Sequence, residues 1–363
     1  MSASFLIVRL GSLGDLIHTL PAVAVLRRAH PDARIDWLVE APHRGLLDLV
    51  PIVSSVIVLK GRSLGGWLAT SRELRARRYD VALEFQGLVK SAALARFSGA
   101  RDVVGFDRAA LREPMARWFY TRVAEVGEGR HVIDKNLALV AQVAQVAQVG
   151  QVGQVGLVAL VAQVAQVVQG PLEFPIRAVD SPALAALRRQ GLTKFALVNP
   201  GAAWPNKRWP AERFGAIAKI LRDEHGLTSV VLWGPGERAL AESVVAASDG
   251  AGVVAPETQL RDLVALSQAS SFMISGDTGP LHIACAAGVP TVALFGPTDA
   301  RRNGPWDPRD VVLSRYDQCA CHYKRQCQQP DAWCLREISV DEVREAVRRR
   351  LAVGEAGNPG HVR

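Results

Sequence analysis

Gly11-Ser12-Leu13-Gly14-Asp15, preceded by an apolar run at 5–10 and followed by a helix-like stretch at 16–29, decides the fold. Near the other end, Asp277-Thr278-Gly279-Pro280-Leu281-His282 stands in the same relation to an apolar run at 272–275 and a helical one at 281–287. A strand-to-helix turn of this kind collects anions, because the first-turn N–H groups of a helix have no intrahelical partner. Glycine lets a ligand come close to the backbone. Two such turns on separate halves imply a cleft between two α/β domains, with a phosphorylated ligand on one side.

Working outward from these turns, strand and helix patterns alternate. Strands are predicted at 5–10, 34–39, 55–59, 81–85 and 102–104, and helices at 16–29, 44–50, 67–77 and 88–97. The second series has strands at 195–199, 229–233, 252–254, 272–275 and 291–295. Its helices fall at 211–224, 238–247, 260–268 and 281–287, with a last amphipathic helix at 340–351. Short, nearly continuous apolar strands between helices mean parallel sheets covered on both faces. Pro21 sits awkwardly inside the first helix and predicts a kink or a later start. The expected division is 1–170 and 171–350, with a tail at 351–363. Between the halves, 141–169 repeats Ala-Gln-Val and Gly-Gln-Val units. A period of three matches neither helix nor strand, so this stretch reads as a low-complexity insert, with an oligomerisation helix as the alternative.

The chain has 363 residues, which favours two cores over one. A formal charge of +8 favours acidic partners: a phosphorylated glycolipid, an anionic membrane surface or nucleic acid. Sparse aromatics and the lack of a compact Lys/Arg block argue against nucleic acid. Arg9 and Asp15 interrupt the first apolar stretch, so it does not read as a secretory signal. The Gln-free apolar piece at 155–162 falls far short of the ~20 residues of a membrane span. The expected location is cytoplasmic, with peripheral association to a membrane face through charge.

Asp15, just after Gly14 at a helix start, is placed to remove a proton from an attacking hydroxyl. A helix cap explains the same position. Cys319, Cys321, Cys327 and Cys334 cluster in the C-terminal part with His322 and Lys324, while Cys285 stands alone in a helix. Four close thiols suit zinc or an iron–sulfur centre, but paired C-x-x-C knuckles are absent. Reduced structural thiols or a disulfide are therefore favoured, and no metal is expected.

The string from Val8 to Ala22, VRLGSLGDLIHTLPA, resembles the opening of the lipopolysaccharide heptosyltransferases, glycosyltransferase family 9. Further matches follow in family order: FQGLVKSA at 85–92, Arg112-Glu113-Pro114, NKRWP at 206–210, WGPGE at 233–237, DTGPLH at 277–282 and FGPTD at 295–299. The resemblance covers about 5–135 and 171–350. FQGLVKSA and Arg-Glu-Pro lean towards the type I enzymes, which add the first heptose to Kdo of the inner core.

That resemblance implies a GT-B fold, two Rossmann-like parallel-sheet domains facing across a cleft with acceptor on the N-terminal and donor on the C-terminal side. It also implies inverting transfer from ADP-heptose to Kdo-lipid A, with no cofactor required. Asp15 would be the base. Lys207 would neutralise charge on the leaving diphosphate, with a solvated lysine as the plain alternative. Thr278 and Gly279 N–H groups would bind phosphate, Asp277 sugar hydroxyls, and Glu237 a ribose diol unless it merely caps its helix. His282 would hydrogen-bond phosphate or fill a packing slot. On the acceptor side the candidates are Ser12, Gly14, Lys60, Arg62, Lys90 and Arg112, the last being the best match to a carboxylate of Kdo, while Lys60 and Arg62 match only loosely, with solvated side chains as the alternative. Rival readings are a type II or other family 9 enzyme, an inactive GT-B binding module, and an NAD-dependent sugar-nucleotide oxidoreductase. Against the last, G-x-x-G is not the three-glycine fingerprint, although Asp36 lies about where a ribose-binding acid is wanted.

Overall fold

The computed structural model describes residues 2–127, 129–149, 172–329 and 334–355. They divide into two compact units, Met1–Arg177 and Ala178–Arg363. The part of the repeat from 150 to 169 lies outside the described residues, as does 356–363 of the tail.

In the N-terminal unit the strands are β1 (Ser4–Val8), β2 (Arg34–Val39), β3 (Ser55–Val58), β4 (Val81–Glu84), β5 (Asp102–Phe106) and β6 (Arg122–Ala124). They form one parallel sheet in the order β3-β2-β1-β4-β5-β6. The helices are α1 (Leu13–Ala29), α2 (Arg44–Leu47), α3 (Leu64–Arg77), α4 (Val89–Phe97) and α5 (Val132–Val149). Every residue of β1 is buried, as a strand covered on both faces requires. Each such Leu, Ile or Val side chain contributes about 1.5–3 kcal/mol by leaving water.

Two expectations are corrected here. α1 begins at Leu13 and runs through Pro21 without a break, so Pro21 does not mark a later start. The lost backbone bond is outweighed because nearly all of the helix from Leu16 to Leu26 is buried and α5 packs along it. Asn136 on α5 donates to the His18 carbonyl at 2.9 Å, in the turn ahead of the proline. The helix expected over 44–50 stops at Leu47, giving way to a turn. The first part of the repeat, through Val149, is the end of α5.

In the C-terminal unit the strands are β7 (Phe195–Asn199), β8 (Thr228–Val231), β9 (Gly252–Val254), β10 (Phe272–Gly276), β11 (Thr291–Phe295) and β12 (Val311–Ser314). Their order is β12-β11-β10-β7-β8-β9, again all parallel. The helices are α6 (Pro182–Arg189), α7 (Ala211–His225), α8 (Arg238–Ala246), α9 (Leu260–Ala269), α10 (Gly279–Ala286), α11 (Ala300–Asn303) and α12 (Val340–Glu355). α12 packs on α7, β11 and β12, closing one face of the core around Trp209, Phe214 and Phe272.

Both sheets follow one plan. In each, the direction of winding reverses between two central neighbours, β1 and β4 in one unit, β7 and β10 in the other. Loops leaving the carboxyl ends at such a reversal diverge and open a crevice, which is where doubly wound sheets take their ligands. The Gly11–Asp15 turn leaves β1 and the Gln86–Val89 turn leaves β4. In the second unit the turn carrying Lys207 follows β7, and Asp277-Thr278-Gly279 follows β10. Each unit is thus an α/β doubly wound Rossmann-like sheet of the kind that builds the GT-B fold.

Candidate functional site

At the reversal of the first sheet, Ser12 precedes α1 and Gly14 is buried in its first turn. The Ser12 N–H donates to Asp15 Oδ2 at 3.2 Å and its hydroxyl lies 3.3 Å from the same oxygen. The capping reading of Asp15 is thus met by one of its oxygens, which closes the helix end. The other, Oδ1, is held at 2.6 Å by Nη2 of Arg9, a guanidinium only 3% exposed that also donates to the Phe85 carbonyl. Arg112 Nη2 approaches Oδ2 at 3.8 Å.

Arg112 reaches this place because its loop is sewn to the next one. Glu113 N–H donates to the Gly87 carbonyl at 3.0 Å, and Val89 N–H at the start of α4 donates to Glu113 Oε2 at 2.7 Å. Beneath that turn Glu84 is fully buried and accepts from Gln86 N–H at 2.8 Å, Gly87 N–H at 2.9 Å and the Tyr120 hydroxyl at 2.5 Å. Burial pushes its carboxyl up, against these donors, which favour the ionised form. Gln86 Oε1 in turn accepts from Leu10 N–H at 3.0 Å, tying the two loops of the reversal together.

The other acceptor-side candidates separate. Glu40, just past β2, gathers Arg62 at 3.1 Å and Lys90 at 3.5 Å. Lys60 turns instead to Glu73 on α3, at 2.9 Å. His43 packs over Gly11, its Nε2 2.8 Å from where a Cβ there would stand, so position 11 has no room for a side chain. Burial lowers the His43 imidazole below its ordinary value, although Glu40 and Asp15 pull the other way.

In the second unit Lys207 Nζ lies 2.5 Å from Asp277 Oδ2 and 4.6 Å above the Trp204 ring. Asp277 also accepts from the Thr298 hydroxyl at 2.7 Å and Asn303 Nδ2 at 2.9 Å, and His282 Nε2 stands 3.4 Å from its Oδ1. Burial alone would raise the Asp277 carboxyl; hydrogen bonding to His282 and the Lys207 charge outweigh it and hold the group well below the usual carboxylate range. His282 is buried, and this contact with Asp277 is one that neither reading of it named. The turn carrying Lys207 rests directly on Gly276: a Cβ there would lie 2.8 Å from the Lys207 carbonyl oxygen.

Thr278 is the residue before α10, followed by Gly279 and Pro280 in the first turn, where proline loses no helical donor. Its hydroxyl accepts from Asn199 Nδ2 at 2.9 Å, and the same amide donates to Ser275 at 3.0 Å across the β7–β10 register. Glu237 precedes α8 and is bound on both oxygens, by Arg208 at 3.0 Å and Gly234 N–H at 3.2 Å. Its carboxylate covers Gly201, where a Cβ would stand 2.1 Å from Oε2. Arg208 also donates to the Ala202 carbonyl at 2.9 Å, bracing its own loop.

Sequence reasoning missed Arg9, Glu40, His43, Asn199, Thr298 and Asn303 as parts of these clusters. Arg9 had a signal, a charge at the end of an apolar strand directly before the glycine turn. Asp36, the acid that an NAD reading needs, is fully buried within β2, with the Tyr79 hydroxyl at 2.8 Å and Arg77 at 3.2 Å. It faces no crevice, and that reading loses its ribose contact. Among the described residues no helix is long and apolar enough to cross a membrane.

Residues 67–332 match the model of glycosyltransferase family 9 (heptosyltransferase). The chain is similar to lipopolysaccharide heptosyltransferase 1 of Pseudomonas aeruginosa, 31% identical over 344 residues, 89% of this chain and 86% of that one. It is 28% identical to lipopolysaccharide heptosyltransferase 1 of Salmonella typhimurium, over 86% of this chain and 94% of that one. Among solved structures, a family 9 glycosyltransferase from Veillonella parvula superposes with a TM-score of 0.75 at 25% identity, covering 97% of each chain. The E. coli heptosyltransferase WaaC with ADP superposes with a TM-score of 0.69 at 24% identity, over 96% of this chain and 98% of that one, and shares the fold.

Proposed function

Because this chain belongs to glycosyltransferase family 9 and is a glycosyltransferase of the heptosyltransferase kind, we propose that it moves heptose from ADP-heptose to Kdo of the lipopolysaccharide inner core, as a type I enzyme. The observation that carries this reading is the 31% identity, along nearly the whole chain, to a relative named heptosyltransferase 1.

The geometry supports an inverting displacement. Asp15 takes the proton of the acceptor hydroxyl. Arg9 fixes one of its oxygens, and the longer contacts to the other, from Ser12 and Arg112, are of a kind that an incoming hydroxyl displaces. Arg112 meets the Kdo carboxylate, with Lys90 and Arg62 contributing charge around Glu40. On the donor side, two of the three N–H donors of Lys207 are directed at Asp277, and the third serves the diphosphate as the anomeric C–O bond breaks. Thr278 and Gly279, at the helix start, take a phosphate through backbone N–H groups. Glu237 exchanges its Arg208 contact for the ribose diol. Asp277 then acts by holding Lys207 in place, and the transfer step uses no metal and no other cofactor.

Membrane association belongs to the same proposal. Leu64 and Leu68 on α3, with Met115 and Trp118 beyond β5, are exposed large apolar side chains, and Arg62, Arg112 and Arg117 lie near them in sequence. Exposed apolar side chains with cations near them in sequence fit the anionic surface in which a lipid A acceptor sits.

The deciding experiment incubates purified protein with ADP-heptose and Kdo-lipid A and follows product mass. Addition of one heptose to an acceptor with none supports the type I reading. A requirement for an acceptor that already carries heptose means type II, and transfer only from another nucleotide sugar overturns the named donor.

A further inference from the structure

The C-terminal cysteines have no part in the transfer reaction, yet the fold draws them together. Cys321 Sγ lies 3.5 Å from Cys327 Sγ. Cys319 stands within hydrogen-bonding reach of Cys334, and Cys327 is close enough to feel the charge of both. Cys319 and Cys321 are buried, and Cys327 and Cys334 are half-buried. Three of the sulfurs accept backbone N–H bonds: Cys319 from Cys321 at 3.3 Å, Cys321 from Gln328 at 3.2 Å and Cys327 from Gln329 at 3.4 Å. Donors aimed at sulfur favour the thiolate, the form that binds a cation.

We propose that Cys319, Cys321, Cys327 and Cys334 form a tetrathiolate site for a thiophilic divalent cation of the zinc class. Four sulfurs at about 2.3 Å from a central ion stand about 3.8 Å apart along each tetrahedral edge. The Cys321–Cys327 spacing of 3.5 Å is near that edge and far from the ~2.05 Å of a disulfide. Among the described residues no three His, Cys, Asp or Glu side chains already converge at bound-ion geometry. Binding therefore draws the remaining sulfurs inward, where the described residues 319–329 are turns and bends outside either sheet. His322 is committed elsewhere: its ring stacks on Tyr316 at 4.0 Å and its Nε2 bonds the Tyr316 carbonyl at 2.7 Å. On binding, four S–H protons are released and the site gains a net charge of minus two, beside Lys324 and Arg325.

The segment also braces the donor-side cluster. The Lys324 carbonyl accepts from Asn206 Nδ2 at 2.9 Å, next to Lys207, and the Arg325 guanidinium lies 6.0 Å from the centre of the Trp204 ring. Tyr323 N–H donates to the Pro297 carbonyl at 2.9 Å, beside Thr298, which in turn donates to Asp277. Cys334 packs on Gly296, its sulfur 2.9 Å from where a Cβ would stand. A bound ion would clamp this strap and, through it, the position of Lys207.

The test uses the full chain purified under anaerobic, reducing conditions. Elemental analysis should find about one zinc or iron ion per chain, and Cys321→Ser should lose it. Independently of any variant, Co2+ titrated into chelator-treated wild-type protein should give the intense sulfur-to-metal absorption and visible bands of tetrahedral thiolate ligation. Absence of metal together with absence of those bands overturns the proposal. So does a mass two hydrogens lighter, marking a disulfide in the freshly isolated chain, or Co2+ bands that persist unchanged in Cys321→Ser.

Discussion

Arg9 holds Asp15 from within the fold: its Nη2 lies 2.6 Å from Oδ1, while its Nη1 reaches the Phe85 carbonyl at the end of the neighbouring strand. The carboxylate at the helix start is thereby fixed by a group that solvent does not reach. For the proposed proton acceptor, orientation matters as well as presence, since a small misplacement of a reacting group costs rate steeply.

Asp15→Asn should lower kcat by about 10²–10⁴-fold with little change in donor affinity, because it removes the proton acceptor and keeps the shape. Arg9→Met should lower kcat by up to about 10²-fold, by letting Asp15 turn. His43→Ala should cost less than either, since His43 bears on the turn through its packing over Gly11. Steady-state kinetics with both substrates varied checks all three; full turnover by Asp15→Asn would remove Asp15 from the chemistry.

Lys207→Ala should raise KM for the nucleotide sugar and lower kcat by about 10²-fold, as expected for loss of a preorganised charge at the leaving group. Gly276→Ala should imitate it while leaving every charge in place. The added methyl would stand 2.8 Å from the Lys207 carbonyl, a backbone atom that no rotamer change moves. Wild-type kinetics in Gly276→Ala would show that the seat of the lysine turn does not matter.

The Asp277 carboxyl titrates well below the usual carboxylate range in the folded protein. A depressed carboxylate stabilises the fold fully above its unfolded value, near 4, and loses that contribution only as pH falls through the lower folded value. Asp277→Asn leaves Lys207 without its buried counter-charge, a loss of about 3 kcal/mol. The stability gap between wild type and variant should therefore be flat from pH 5 to pH 8 and shrink below about pH 4. Urea midpoints measured at each pH check this; a gap that widens on acidification has the wrong sign.

Trp118, 78% exposed, and Leu64, 77% exposed, should matter on lipid and not in water. Trp118→Ala combined with Leu64→Ser should reduce binding to vesicles containing anionic lipid by about tenfold, while the unfolding midpoint stays within about 0.5 kcal/mol of wild type. Co-sedimentation with anionic and neutral vesicles checks this. Equal binding to both kinds by the wild type would leave charge without a part.

Much of the fold was legible because the central strands are uninterrupted apolar runs and each opens on a glycine-bearing turn. The edges were less so. β6 begins on the exposed Arg122 and β12 is only half-buried, so neither shows the continuous apolar run that marked the inner strands. α6 carried a signal that went unused: Ser181 before Pro182 is a start pattern, and its hydroxyl does accept from Leu184 N–H at 3.0 Å. Pro21 misled because propensity was weighed without tertiary packing, which a buried helix supplies on nearly every side. In the candidate site, residues next to a motif could be read from it. Asn199, Thr298 and Asn303 could not, since the parallel register of β7, β10 and β11 brings them to Asp277 and Thr278 from distant positions.

The shared winding of the two sheets has a practical use. All the candidate chemistry is carried on turns leaving the carboxyl ends of strands, so the opposite rims hold none of it. Exposed turns there, at Asp32 before β2 and Asp249 before β9, are places to attach a fluorophore or splice in an affinity tag. Probes at those two positions would report on each half during catalysis without touching what either half binds.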